Sequence, residues 1–396
     1  MSDKPDKKPH RLQTRALHAD RHLDNSFGIA PAIEQSVTYF ATDEKDFADK
    51  ATEPLFDHFY ARHGNPTSSR VAKVIADLES AEAGMMFSSG MGAISSTVLA
   101  FVEQGDHVVA QKNHYIGTTN LVTSILPRFG VEVTQVDQRD SEQFTQAIRP
   151  NTKMILTESP VNPTMHLTDF AALAKIAKDN SIVTMCDNTF ATPINQRPIE
   201  LGIDLVCHSV TKYIGGHHDL LAGCVVGASD LVQRIWDLSM VLGAINAPFN
   251  SWLALRGIRT LAVRIRQHNQ NALALAEFLA GHPAVSEVLF PGLPQHPQHE
   301  LANNQMDGFG GLLSCVLKGG YDSGVKLIES LELAQNAGSL GGVDTLAIQP
   351  AAMWGGRLNE DVLKTQGVDM GMIRVATGIE DTQDLLADFR QALDNC

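Results

Sequence analysis

An aspartate that ends one apolar run and a lysine just past the end of the next are the residues in this chain best placed to do chemistry together. Asp187 follows the run Ile182–Cys186, and Lys212 follows the run Leu205–His208 through the turn Ser209-Val-Thr. One strand–helix–strand excursion separates them, so both belong at the carboxyl ends of strands, where open parallel sheets bind their ligands. A carboxylate there can pair with a protonated pyridine nitrogen and make the ring an electron sink. A desolvated lysine amine there can form an imine with an aldehyde cofactor near neutral pH. Alone, Asp187 also suits a turn or a helix N-cap, and a lone lysine also suits solvent; the pairing carries the weight. Ser209 and Thr211 lie two residues apart on the same turn and can both bind a phosphate.

Three further positions suit the same chemistry. Ser88-Ser-Gly-Met-Gly-Ala93 opens a helical stretch. Glycine lets backbone N–H groups approach closely and a helix N-terminus favours an anion, so Gly90 and Met91 are placed to cradle a phosphate. Tyr115 follows the strand-like run at Val108–Ala110 and can stack on a flat ring; it equally suits a half-buried core site. Arg374 lies within the apolar run Met372–Ala376. A buried cation needs a partner, which a substrate carboxylate gripped in bidentate fashion would supply, as would a structural salt bridge.

The elements that must position these residues are legible from periodicity. Short apolar, β-branched runs at His107–Ala110, Val131–Val136, Met154–Thr157, Ile182–Cys186, Leu205–His208 and Gly223–Gly227 alternate with helical patterns at Ser69–Ala83, Gly92–Val102 and Thr168–Lys178. Such alternation predicts an α/β fold with a mostly parallel sheet covered on both faces. Residues 1–64 carry scattered charges and few periodic stretches, and read as an irregular N-terminal arm that packs on something rather than folding alone. Residues 65–262 read as the sheet domain. Residues 263–396 read as a smaller C-terminal α+β domain, with a helix at Gln267–Leu279, a Pro-rich turn from Pro291, strands at Gly311–Leu317 and Met372–Ala376, and a final helix at Thr382–Leu393.

Composition narrows the function classes. The chain has 396 residues, 43% hydrophobic and 19% charged, and a formal net charge of -14. Its size suits two domains, and its acidity argues against a nucleic-acid partner. The basic cluster Lys4, Lys7, Lys8 and Arg11 reads as a solvated tail. There is no apolar run of about 18 residues to span a membrane and no signal-peptide pattern. The five cysteines, Cys186, Cys207, Cys224, Cys315 and Cys396, show no C-x-x-C spacing. They argue against a disulfide framework or zinc site and suit a reducing cytoplasm.

Taken together, the motifs resemble the cystathionine γ-synthase-like group of fold-type I pyridoxal-phosphate (PLP) enzymes, the Cys/Met-metabolism family. The resemblance runs from about Phe27 to Leu393 and rests on Tyr60-Ala-Arg-His-Gly-Asn-Pro-Thr67, Ser89-Gly-Met91, Glu158-Ser-Pro-Val-Asn-Pro163, Asp187-Asn-Thr189, His208-Ser-Val-Thr-Lys-Tyr-Ile-Gly-Gly216, Ser339-Leu-Gly-Gly342 and Ile373-Arg-Val-Ala-Thr-Gly-Ile-Glu-Asp381. It implies pyridoxal 5'-phosphate as cofactor, held by residues 65–262 as a Schiff base on Lys212. It implies Asp187 at the pyridine nitrogen and Tyr115 stacked on the ring, serving as acid or base at the leaving group. Ser89, Gly90, Met91, Thr189, Ser209 and Thr211 complete the cofactor site. Tyr60 and Arg62 are implied to reach the phosphate from a neighbouring subunit, so a homodimer is the smallest active unit and a tetramer the usual one. Asn162, Ser339 and Arg374 are implied to hold the substrate carboxylate. No metal is expected.

Several departures bear on the substrate. Ile116-Gly-Thr118 follows Tyr115 where methionine γ-lyases, similar elsewhere, carry Gly-Cys. Gly338 stands where cystathionine enzymes place a glutamate before Ser-Leu-Gly. Pro350-Ala-Ala-Met-Trp-Gly-Gly356 replaces Pro-Ala-Ser-Met-Thr-His-Ser, which puts Trp354 where a hydroxyl is usual and glycines where polar side chains follow. Trp354 is either core filling or a pocket wall that stacks on a large co-substrate. His217-His218 lacks a third ligand for a metal and reads as a surface or hydrogen-bonding pair. The expected activity is γ-elimination or γ-replacement on an amino acid resembling a homoserine ester, methionine or S-adenosylmethionine, through a vinylglycine-type intermediate. The alternatives are a C–S β-lyase giving pyruvate and, more remotely, a non-catalytic PLP-binding regulator.

Overall fold

Two sheets organise the chain in a computed structural model that describes residues 10–23, 27–354, 363, 364 and 367–396. Lys4, Lys7 and Lys8 of the basic cluster, and Gly355 and Gly356, lie outside the described residues. The larger sheet contains β1 (Ala83–Phe87), β2 (His107–Gln111), β3 (Glu132–Val136), β4 (Thr152–Glu158), β5 (Val183–Asp187), β6 (Leu205–Ser209) and β7 (Gly223–Gly227), in the order β1-β7-β6-β5-β4-β2-β3. Strands β2 to β6 pair in parallel, whereas β7 runs antiparallel to both its neighbours. The mostly parallel sheet is therefore present, with its ligand-binding strand ends at Gln111, Glu158, Asp187 and Ser209.

Its first strand escapes the sequence reading, which runs one helix through Ala83. The helix is Pro66–Glu79 instead. Asn65 caps it by accepting the N–H groups of Thr67 and Ser68, and Ser80 ends it at φ 62°. The next apolar stretch, Ala-Gly-Met-Met-Phe, becomes β1. Gly84 lets it approach β7, since a Cβ there would lie 2.9 Å from Val226 Cγ1. The arm also departs from the irregular expectation: it forms helices at Leu12–His18 and Glu44–Thr52. The second is capped by Asp43 but buries no residue, so no apolar stripe announced it.

The smaller sheet holds β8 (Val285–Leu289), β9 (Leu312–Leu317), β10 (Gln335–Asn336), β11 (Leu346–Ile348) and β12 (Met372–Ala376), in the order β10-β11-β12-β9-β8. The two strands expected here form its antiparallel centre. The helix expected from Gln267 begins at Leu261 and ends at Ala280. On β12, Ile373 and Val375 pack into the core beneath the small sheet. Met372 and Ala376 turn the other way, into a cluster shared with Val206 and Val210 near the end of β6. Period-two alternation puts Arg374 on that same face, toward the larger sheet.

Candidate active site

A cavity of about 530 Å³ opens where β2, β4, β5 and β6 end, and its lining includes Asp187, Lys212, Tyr115, Ser89, Gly90, Met91, Thr189, Ser209, Thr211, Asn162, Ser339, Trp354 and Arg374. The residues singled out in the sequence thus meet in one place, with two exceptions. Tyr60 and Arg62 do not line it. Tyr60 is 39% exposed, and Arg62 stacks over its ring while donating to Met240 O at 2.8 Å.

One wall is a chain of hydrogen bonds along the strand ends. Asp187 accepts both the N–H and the hydroxyl of Thr189, and the same hydroxyl accepts the N–H of Ser209 at 2.8 Å. Burial raises the Asp187 carboxyl above the usual range, against the Thr189 bonds and the positive charges near it. An acid so placed gains most from a cationic partner.

Next to this wall, Ser89 caps the helix Gly90–Phe101 by accepting the Gly92 N–H at 2.9 Å. In the first turn the N–H groups of Gly90 and Met91 have no partner within the helix and, with the dipole behind them, suit an anion. Two glycines make the approach possible. A Cβ on Gly90 would lie 2.8 Å from Ser209 Cβ, and one on Gly223 would lie 2.1 Å from Ser89 O. Thr211 contributes less than its spacing suggests: its hydroxyl donates to Ala222 O at 3.1 Å and accepts the Ala222 N–H at 3.0 Å. That donor is spent on the turn and reaches an anion only if the side chain rotates.

Lys212 is held by the turn that follows β6. Arg264, buried in the helix Leu261–Ala280, donates to Tyr213 O at 2.6 Å and to Gly257 O at 2.8 Å. Gly216 makes room for that guanidinium. The Lys212 Nζ donates to Ser339 Oγ at 2.7 Å. Burial, reinforced by the charge of Arg374, pushes the amine down to about 8, with Asp187 opposing. Ser339 also accepts Arg374 Nη2 on its carbonyl at 2.8 Å, and it sits at φ 93°, a conformation non-glycine residues adopt at a cost and mainly at functional sites. Gly341 and Gly342 let this segment lie against Lys212-Tyr213 and the ring of His218. His217 meets Gly215 O at 2.9 Å.

Arg374 is 4% exposed, and its Nε is buried without a partner, as is Asn162 Oδ1. A buried guanidinium with an unused donor suits an incoming carboxylate. Tyr115 is 47% exposed. Its ring lies over Gly117, where a Cβ would come within 2.8 Å of Tyr115 Cε1 and 2.7 Å of Met91 Sδ. Gly338, Met353 and Trp354 line the far wall. A Cβ on Gly338 would meet nothing within 4 Å, so that glycine leaves open space rather than relieving a clash.

The sequence reading gave no role to Glu158, which ends β4 beside Asp187 in register and lines the cavity. Its position repeats that of Asp187: an acid at the close of an apolar strand.

An acid for a pyridinium, a desolvated lysine amine, a helix N-terminus for a phosphate and a buried arginine for a carboxylate fit a pyridine-aldehyde phosphate and an amino acid. The family model for Cys/Met metabolism PLP-dependent enzymes matches residues 13–394. The chain belongs to this family. Its cofactor is pyridoxal phosphate, and it is an enzyme of sulfur amino acid metabolism acting on a small-molecule amino acid. It is 42% identical to L-methionine gamma-lyase of Porphyromonas gingivalis over 96% of each chain. It is 40% identical to cystathionine beta-lyase of Coxiella burnetii over 99% of this chain and all of that one. The crystal structure of MetB from Corynebacterium glutamicum superposes with a TM-score of 0.90 at 37% identity, covering 98% of both chains. Among the described residues no helix is long and apolar enough to cross a membrane, and no three His, Cys, Asp or Glu side chains gather as a metal site.

Proposed function

We propose that this family member carries out γ-elimination or γ-replacement on an L-amino acid with a leaving group at Cγ, of the homoserine ester, methionine or S-adenosylmethionine type. The observation that carries this reading is the Lys212–Ser339–Arg374 array, which sets a near-neutral amine beside a buried carboxylate-binding cation. Bound against Asp187, pyridoxal phosphate supplies the electron sink. Arg374 and Asn162 hold the substrate carboxylate. Lys212 takes the α-proton and then a β-proton, a task suited to an amine brought down to about 8. Tyr115 protonates or deprotonates at the leaving group. Gly90, Met91 and Ser209 bind the phosphate. Trp354 forms the wall for the substrate's far end or for a second, nucleophilic substrate.

The reading includes a homo-oligomer that shares its active sites. Tyr60 and Arg62 stand outside the cavity of their own chain, and Phe27, Ile29 and Phe40 of the arm, with Val241 near Met240, are heavily exposed. Large apolar side chains left this exposed support an interface in that region. In this assembly residues 1–64 act as the arm reaching the neighbour, 65–262 as the cofactor domain and 263–396 as the C-terminal domain. Five free cysteines, four of them buried, suit a cytoplasmic setting.

A second reading, C–S β-elimination giving pyruvate, is favoured by the likeness to cystathionine beta-lyases. Mass spectrometry of products from homoserine esters, methionine, cystathionine, cysteine and S-adenosylmethionine separates the two. The γ route gives a four-carbon 2-oxo acid or a replacement product. Pyruvate from cystathionine or cysteine, with no γ product from any substrate, would overturn it.

A further inference from the structure

Glu158 is 3% exposed, yet it projects from the end of β4 into the cavity lining. Its two carboxyl oxygens serve two different loops. Oε2 accepts the N–H of Tyr115 at 2.6 Å, and Oε1 accepts the N–H of Asn162 at 3.4 Å. The first loop carries the ring that flanks the cofactor site; the second carries the amide on the substrate-carboxylate side. The main chain of Glu158 is fixed independently. Gln111 Oε1 accepts its N–H at 3.0 Å, and Gln111 Nε2 donates to its carbonyl at 3.0 Å and to Asn113 O. The strand end therefore does not need the carboxyl to hold its shape. Charging it is costly: burial and then the neighbouring Asp187 push it well above the carboxylate range. Charged or neutral, a buried carboxyl needs hydrogen-bond partners, and these two N–H groups supply them.

We propose that Glu158 is a positioning residue that locks Tyr115 and Asn162 into one geometry, so that the ring-flanking loop and the substrate-carboxylate loop are set relative to each other by a single side chain. This rests on the pocket being a pyridoxal-phosphate site for an amino acid. The substrate's two grips are then coupled: loosening the Asn162 loop weakens binding, and freeing Tyr115 as well slows the chemistry.

The test compares wild-type holoenzyme with E158Q and E158A. Glutamine keeps the shape and one carbonyl, which retains the shorter bond from Tyr115, while its amide group meets the Asn162 N–H donor to donor. Losing that one bond is expected to speed hydrogen exchange at the Asn162 amide about tenfold or more, with Tyr115 still protected. It should raise KM for the amino acid about tenfold, with kcat within about threefold of wild type. E158A should expose both amides and lower kcat as well. If E158A does not fold, the isosteric E158Q carries the test alone. Unchanged KM in E158Q overturns the proposal, as does a raised KM without faster exchange at Asn162. Loss of activity in E158A with both amides still protected overturns it too. Cofactor binding and product formation by wild type are measured in the same preparations. Failure there removes the pyridoxal reading, whereas an active wild type with an unaltered E158Q removes only the positioning role.

Discussion

The strand-end wall of the cavity and its far wall are built in opposite ways. At the strand ends the loops are tied together by hydrogen bonds to side chains: the Thr189 hydroxyl to Asp187, the Ser209 N–H to Thr189, and the Tyr115 and Asn162 N–H groups to Glu158. The far wall comes from connections between short elements of the smaller sheet. Gly338 faces open space, Ser339 is strained at φ 93°, and Met353 and Trp354 end a five-residue helix. The strand-end wall is therefore fixed by the sheet, and the far wall is left to loops, which vary at low cost to stability.

That contrast can be broken or sharpened by mutation. Asp187→Ala should lower kcat by about a thousandfold for every substrate, because the pyridine nitrogen loses the carboxylate that keeps it protonated and the ring an electron sink; near-normal kcat with any substrate breaks the contrast. Arg62→Ala and Lys212→Ala subunits, each inactive alone, should regain part of the wild-type rate when mixed, since one hybrid site receives both intact residues. No recovery despite demonstrated subunit exchange removes the shared site. Gly90→Ala places a Cβ 2.8 Å from Ser209 Cβ, and the strain should weaken cofactor affinity about tenfold, measured by titration of the cofactor-free protein. Trp354→Thr should leave cofactor affinity alone but shift the ratio of kcat/KM between O-acylhomoserine plus thiol and cystathionine by roughly tenfold. Efficient cystathionine turnover, untouched by that change, would end the case for a specialised far wall.

The smallest effect is a pH profile. The free amine of Lys212 is the reactive form, and burial brings it down to about 8 from 10.5. Cofactor uptake by the cofactor-free protein should rise with pH and level off above about 8. A rate still climbing toward 10.5 would place the reactive amine in solvent.

What the sequence disclosed follows the same division. Asp187 was legible because it closes an apolar run, and Lys212 because it follows the next such run by one short turn; a strand end is a fixed place in a parallel sheet. Arg374 was legible as a cation among apolar neighbours, and alternation along β12 gives its direction. Strand β1 was not, because Ala-Gly-Met-Met-Phe after a helix lacks period-two alternation and gains its identity only by pairing with β7. Strands β10 and β11, two and three residues long, are too short to carry a period. Thr211 was placed correctly on its turn, but spacing says nothing about a hydroxyl already bonded to Ala222. Glu158 carried the same signal as Asp187, an acid at a strand's close; its two-loop role depends on hydrogen bonds to distant main-chain groups, which no local pattern encodes.

The central claim is that Lys212 holds the cofactor opposite Asp187, and borohydride reduction of the holoenzyme followed by peptide mass mapping tests it most directly. The cofactor mass should appear on the peptide containing Lys212 and be absent from Lys212→Ala. Its appearance on Lys112, which also lines the cavity, or its persistence in Lys212→Ala, would contradict the assignment.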